Sequence, residues 1–360
     1  MITRAKTLAR AAEQRRFFEA AGAVPVETSI LQPAHTLLDL YGEDILARAY
    51  VTSDALRGEQ MLRPDFTVPV VQMHMAEGAE PARYTYSGEV FRRQEHDPDR
   101  PNEYVQVGYE VFDRADPAGA DAEVFALISE IVEPLNLRAV TGDIGILMAA
   151  VQGLKTTQAR KSALLRHIWR PRRFRNLLNR YAGRLPLTVE RQKLLANADV
   201  QIDAPLIGRR SQAEINQRLE ALRADAKAPL LSTVEVDLLD ALLNVRETLP
   251  FALEHLRDIA VDLPSIAPAV ERIALRADAL SLRGIDVADL PFEASFGRTS
   301  MEYYDGFVFG FFSPTRAELP AIATGGRYDA LTQRLGQGTE IPAVGGVLRP
   351  GLILELEAAQ

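Results

Sequence analysis

Two stretches of the chain place polar side chains at strand spacing. Residues 83–92 (RYTYSGEVFR) and 104–112 (YVQVGYEVF) both read as β-strands, joined by the polar run RQEHDPDRPNE into a hairpin. Alternation in the second strand puts Val105, Val107, Tyr109 and Val111 on one face. The other face carries Tyr104, Gln106, Gly108, Glu110 and Phe112. In the first strand Tyr84, Tyr86, Gly88, Val90 and Arg92 share a face. An amide and a carboxylate set around a glycine, with an aromatic at each end, suit a small polar ligand lying on the sheet. The plainer alternative is a solvated sheet face.

Other chemistries find less support. There is no GxxxxGK[ST] phosphate loop, no strand-linked GxGxxG and no GxSxG elbow. Histidines 35, 74, 96, 167 and 255 lack metal-ligand spacing and read as surface or satisfied core residues. Asp97, Asp99 and Glu103 are possible cation ligands, but solvated turn residues are the simpler reading. With no cysteine in the chain, disulfides, cysteine-ligated zinc and a cysteine nucleophile are excluded. No metal or organic cofactor is expected.

The elements that must position the hairpin fall into three regions. Residues 4–21 read as an amphipathic helix ended by Gly22 as C-cap, followed by a strand from Val24 to Leu31 stopped by Pro33. From about 145 to 290 the chain turns helical, rich in Leu, Ala, Arg and Glu. That stretch holds HIWRPRRFRNLLNRYAGR (167–184), with six arginines, three aromatics and no acid. An exposed basic helix face is its plainer reading, and contact with phosphates or an acidic partner the other. Residues 292–360 return to strand and glycine (GRTSMEYYDGFVFGFF, ATGGRYDAL, PAVGGVLRPGLILEL). The pattern predicts one α+β domain over 1–360 with a helical insertion at 145–290, the last strands rejoining the first sheet.

Composition fits a globular protein: 47% hydrophobic and 25% charged residues over 360 positions. A net charge of −8 argues against gripping an RNA backbone, so tRNA binding is not expected. The N-terminus lacks a continuous apolar region and no run is long enough to span a bilayer, so a cytoplasmic location without membrane attachment is the expectation.

Several long motifs, in order, resemble the histidyl-tRNA synthetases. LRPDFTVPV (62–70) is similar to their LRPE-x-T-x-P segment, and YSGEVFRRQEHDPDRPNEYVQVGYEVF (86–112) to motif 2 of class II synthetases in its histidine-specific form. SMEYYDGFVF and TGGRYDAL resemble the two histidine signature loops. The resemblance runs from about residue 10 to the end and implies a class II fold: a mixed, mostly antiparallel sheet flanked by helices, usually dimeric. It implies that Asp65, Thr67, Gln106, Glu110, Tyr303, Tyr304 and Tyr328 line a pocket for free histidine. Carboxylates would pair with the ammonium there, while hydroxyl and amide add directional bonds. Arg92 and Arg100 match the arginines that hold ATP phosphates.

The departures fall on the activating machinery. Gln94 replaces the glutamate of the FRxE pattern, and Thr299 stands where the family carries the arginine that activates the histidine carboxylate. Arg298 is one residue away, and a one-residue slip in a strand turns a side chain to the opposite face. PAVGGVLRPGLIL has Leu352 in place of the family's arginine, with Arg349 three residues earlier, next to Pro350, and its substitution is not assumed. Each missing cation at a developing phosphorane costs on the order of 10²-fold in rate. No C-terminal anticodon-binding domain is expected after the last motif. The pattern is similar to the synthetase-like regulatory subunits of ATP phosphoribosyltransferase. That resemblance implies a non-catalytic subunit that partners a short-form catalytic subunit in a hetero-oligomer and mediates feedback by histidine. An adenylate-forming ligase and a scaffold with an empty pocket are the alternatives.

Overall fold

A computed structural model describes residues 2–41, 48–94, 100–196, 211–298 and 303–359. Helix α1 (Arg4–Ala20) is followed by strands β1 (Val24–Pro25) and β2 (Leu31–Pro33), helix α2 (Ala34–Tyr41), and strands β3 (Val51–Asp54) and β4 (Gly58–Leu62). Next come α3 (Thr67–Glu77), β5 (Ala82–Phe91), β6 (Glu103–Phe112), α4 (Pro117–Val132) and β7 (Arg138–Asp143). The helical stretch comprises α5 (Ile144–Gly153), α6 (Gln158–Arg166), α7 (Pro171–Tyr181), α8 (Val189–Ala196), α9 (Gln212–Lys227) and α10 (Thr233–Asn244). Strand β8 (Arg246–Thr248), α11 (Leu249–Asp262), α12 (Ala267–Leu282), β9 (Pro291–Glu293) and β10 (Phe307–Phe312) lead to β11 (Ala323–Arg327), α13 (Asp329–Leu335), β12 (Ala343–Leu348) and α14 (Pro350–Glu357).

Among the described residues the main sheet has nine strands in the order β1-β5-β6-β12-β11-β10-β7-β9-β8. Only β1–β5 and β7–β9 pair in parallel, so the sheet is mixed and mostly antiparallel, as expected. The strands that return after the helical stretch rejoin the hairpin because β12 pairs with β6, Gly345 opposite Glu110. The expected hairpin forms, and its pairing sets Tyr86 opposite Gly108 and Gly88 opposite Gln106.

Each face is covered for a physical reason. On the valine face of β6, Tyr109 stacks on Phe18 of α1 at 5.0 Å and donates its hydroxyl to Glu123 of α4 at 2.6 Å. Phe125 of α4 packs on Phe309 and Phe311 of β10 at 5.3 and 5.2 Å, so α4 joins β6 and β10 to one core. Burying such aromatics dominates core energetics. The opposite face carries α3 and α13, which pack on each other.

The N-terminal helix ends as read: Gly22 takes φ +97°, and the amides of Gly22 and Ala23 close on Glu19 and Phe18. The strand expected from Val24 to Leu31 is instead two short strands, β1 and β2. They serve different sheets, β1 running beside β5 and β2 pairing with β4, so residues 26–30 are the crossing between them. Pro33 falls inside β2 rather than beyond it, tolerated because β2 is an edge strand. No described helix is long and apolar enough to cross a membrane.

Candidate functional site

The site is built around Glu110, a β6 side chain 1% exposed. Three hydroxyls donate to its carboxylate: Thr67 at 3.0 Å, Tyr86 at 2.8 Å and Tyr328 at 2.6 Å. They come from α3, β5 and the residue preceding α13, so the carboxylate joins three separate segments. Room for it exists because residue 345 is glycine. A Cβ there would lie 1.4 Å from Glu110 Oε2. Burial pushes the Glu110 carboxyl up to about 7, against the three hydroxyl bonds that favour the charged form. The carboxyl therefore titrates near neutral pH, and a bound cation would favour its ionised form.

Gln106 lies four residues earlier on the same face, also 1% exposed. Its Oε1 is buried and has no hydrogen-bond partner among the described residues. A buried acceptor left unpaired costs about 1–3 kcal/mol, a debt that an N–H of a bound ligand would remove. Asp65 is buried at 3% and accepts from the Val68 amide at 3.4 Å, at the start of α3. Tyr303 and Tyr304 complete the wall, with Tyr303 4.8 Å from the Tyr304 ring and 6.1 Å from Tyr328. Burial raises the Tyr304 and Tyr328 hydroxyls well above the ordinary phenol range, with Glu110 adding to both, so they remain donors.

The structure thus gathers Thr67, Glu110 and Tyr328 in direct contact, with Tyr303 and Tyr304 as aromatic neighbours. Sequence reasoning missed two members. Alternation puts Tyr86 on the correct strand face but does not show it in the site, and it leaves the space above Gly108 open to a ligand. A Cβ at Gly108 would meet Tyr86 Cζ at 2.1 Å, so the glycine seats the Tyr86 ring instead. Phe66 stacks on the other side of that ring at 4.3 Å, and the Arg63 guanidinium covers Phe66 at 3.9 Å. Arg63 is anchored by bonds to the Glu89 and Thr28 carbonyls at 2.8 and 2.6 Å, clamping the LRPDFT segment to the hairpin. Gly345 is the second omission. The only available signal for either was the pairing register, which puts Tyr86 opposite Gly108 and Gly345 opposite Glu110.

Among the described residues no arginine forms an ion pair with Glu110, although the charge of Arg92 acts on Tyr304 of the pocket wall. Arg92 Nε donates to the Pro64 carbonyl at 2.7 Å, and Arg100 reaches the Glu318 carbonyl at 3.4 Å. Arg349 joins them: its guanidinium bonds the Ala321 carbonyl and feels both Arg92 and Arg100. Burial and those two like charges hold its pKa below the ordinary guanidinium range despite the favourable Tyr104 hydroxyl. Leu352 packs its side chain against the apolar core. Arg298 turns towards the helical stretch: Nε donates to the Ile168 carbonyl at 2.8 Å and the guanidinium lies over Phe174 at 4.9 Å. Thr299, Asp97, Asp99 and His96 lie outside the described residues, and Glu103 pairs with Arg4 at 3.1 Å. No metal-binding group of His, Cys, Asp and Glu occurs among the described residues.

Behind the site a buried ion network fixes the supporting elements. Asp121 of α4 accepts from Arg276 at 3.1 Å and from Arg327 at 2.7 Å, while Arg276 also reaches Asp143 at 2.8 Å. Arg327 extends it to Asp329 at 3.0 Å, at the start of α13. Asp305 accepts from the Asp329 and Ala330 amides, and burial pushes its carboxyl up to about 7.

A mixed sheet with a motif-bearing hairpin and a returning glycine strand defines a synthetase-type domain. A family model described as histidyl-tRNA synthetase matches residues 3–195 and 194–351. Solved structures share the fold. A chain from Bacillus halodurans described as an ATP phosphoribosyltransferase regulatory subunit/histidyl-tRNA synthetase aligns with TM-score 0.67 at 21% identity, over 98% of this chain and 79% of that one. A histidyl-tRNA synthetase from Nostoc aligns with TM-score 0.65 at 18% identity, over 98% and 72%. Among curated proteins, the ATP phosphoribosyltransferase regulatory subunits of Brucella ovis and Brucella abortus are each 31% identical over 341 residues, 89% of both chains. The chain belongs to the histidyl-tRNA synthetase family and, within it, to the ATP phosphoribosyltransferase regulatory subunits.

Proposed function

We propose that this chain is the non-catalytic, histidine-sensing subunit of an ATP phosphoribosyltransferase, acting with a short-form catalytic subunit at the entry to histidine biosynthesis. The relatives' shared name supports the role. The observation that carries the ligand is the buried pair of Gln106 and Glu110 on one strand face, an acceptor and a carboxylate that find, among the described residues, no hydrogen-bond donor and no cation respectively. A zwitterionic amino acid with an imidazole supplies both an N–H and a positive charge. Asp65, Thr67, Gln106, Glu110, Tyr303, Tyr304 and Tyr328 hold it in this reading. Because these residues bridge α3, the hairpin and α13, an occupant biases how those segments sit, and a ligand shifts an equilibrium by its differential affinity for two states. The chain works as a dimer within a cytoplasmic hetero-oligomer, without membrane or tRNA.

The test is Glu110→Ala. Histidine should no longer inhibit phosphoribosyl transfer by the mixed subunits, while the subunits still co-elute. Undiminished inhibition in that variant rejects the pocket as the sensor. A second reading, an adenylate-forming ligase, draws on the grouping of Arg92, Arg100 and Arg349. Histidine-dependent exchange of pyrophosphate into ATP by the chain alone would favour it.

A further inference from the structure

The helical stretch holds a cavity of about 460 Å³ between α6, α7, α8 and α9, separate from the Glu110 site. That volume is within the range of small-molecule sites. Arg160, Arg166, Arg173, Arg180, Arg191 and Arg218 line it, against Asp225 as the one carboxylate among its described lining residues. Asp225 is already engaged, by Arg160 at 2.6 Å and Arg191 at 3.4 Å. Among the described residues no carboxylate lies within ion-pair distance of Arg166, Arg173, Arg180 or Arg218. Four guanidiniums that find no carboxylate partner among the described residues thus border one concavity of a protein whose net charge is −8.

The wall is built to keep them there. Arg160, 4% exposed, is locked by the Asp225 side chain and by the Asp225 and Pro229 carbonyls, and lies over the Tyr181 ring at 4.9 Å. Phe174, Leu178 and Tyr181 bury the inner face of α7, which leaves Arg173 and Arg180 on the face that borders the cavity. Like charges held together repel, and the arrangement makes sense where a multiply charged anion joins them, since guanidiniums bind phosphate oxygens in bidentate pairs. Leu177, Leu222 and Tyr181 add an apolar wall for an uncharged portion of the same ligand.

We propose that this cavity is a second effector site, for a small molecule carrying a di- or triphosphate. A concavity of this size, rather than an extended basic stripe, favours a compact polyanion over a nucleic-acid backbone. The basic segment at 167–184 is then half core, through its aromatics, and half anion site, through its arginines.

The test is calorimetric titration of the full chain with inorganic triphosphate and with ATP, for the wild type, for Arg173→Ala/Arg180→Ala, and for Arg100→Ala. Both substituted arginines of the double variant are at least partly exposed, and unchanged circular dichroism would confirm that its fold is intact. Triphosphate should bind the wild type, weaken about a hundredfold in the double variant, roughly tenfold per guanidinium lost, and be unchanged in Arg100→Ala. ATP should follow the same pattern in its cavity-dependent phase. No triphosphate binding, binding insensitive to the double variant, or a short RNA duplex binding through the same arginines far more tightly than triphosphate would each overturn the proposal.

Discussion

Replacing Glu110 by glutamine should separate what the pocket costs from what it does. The folded carboxyl sits at about 7 against an ordinary 4.5, because the side chain is wholly buried. Between those values the native chain holds a proton that the unfolded chain has released, so native stability falls as pH rises through the window. The loss amounts to about 3 kcal/mol by pH 7.5. Glutamine cannot ionise and escapes it. Relative to wild type, Glu110→Gln should therefore gain about 3 kcal/mol between pH 4.5 and pH 7.5, whatever constant offset its rearranged hydroxyl bonds introduce. Asp305 titrates in the same window, but it is present in both proteins and drops out of the difference. Urea unfolding at half-unit pH steps would measure this. A difference that stays flat with pH would refute the claim that Glu110 is a strained, uncompensated carboxylate.

Three further outcomes follow from the same geometry. Gly345→Ala drives a methyl into the Glu110 carboxylate, so it should cost about 1–3 kcal/mol by overpacking and remove histidine binding in a titration. Asp121→Ala leaves Arg276 and Arg327 short of a buried partner and should destabilise by about 3–5 kcal/mol in denaturant melts, without acting on ligand contacts directly. Histidine binding should release about half a proton at pH 7, since a cation beside Glu110 drives its ionisation, and affinity should weaken as pH falls below 7. Calorimetry in two buffers of different ionisation heat reads that release, and a buffer-independent heat would remove Glu110 from the contacts.

Much of this arrangement was legible in the residues. Strict alternation in YVQVGYEVF set Gln106 and Glu110 on one face, because a strand's period of two allows no other placement. Gly22 marked the end of α1 because it is the residue that takes positive φ there without strain. What was not legible depended on pairings distant in sequence. Nothing local shows that Tyr86 fills the space over Gly108, or that Gly345 faces Glu110 across β6–β12, since both depend on register. Arg349 joined Arg92 and Arg100 for a similar reason, its guanidinium being held by a loop carbonyl at Ala321 that spacing along the chain does not reveal. The split of Val24–Leu31 into two strands reflects partners in different sheets, which propensity within the segment cannot distinguish.

The most direct measurement is phosphoribosyl transfer by the short catalytic subunit, assayed alone, with this chain, and with this chain plus histidine. Transfer should need the chain and should be inhibited by histidine through the Gln106–Glu110 pocket. Full activity of the catalytic subunit without the chain, or histidine inhibition that the chain does not alter, would contradict a sensing role.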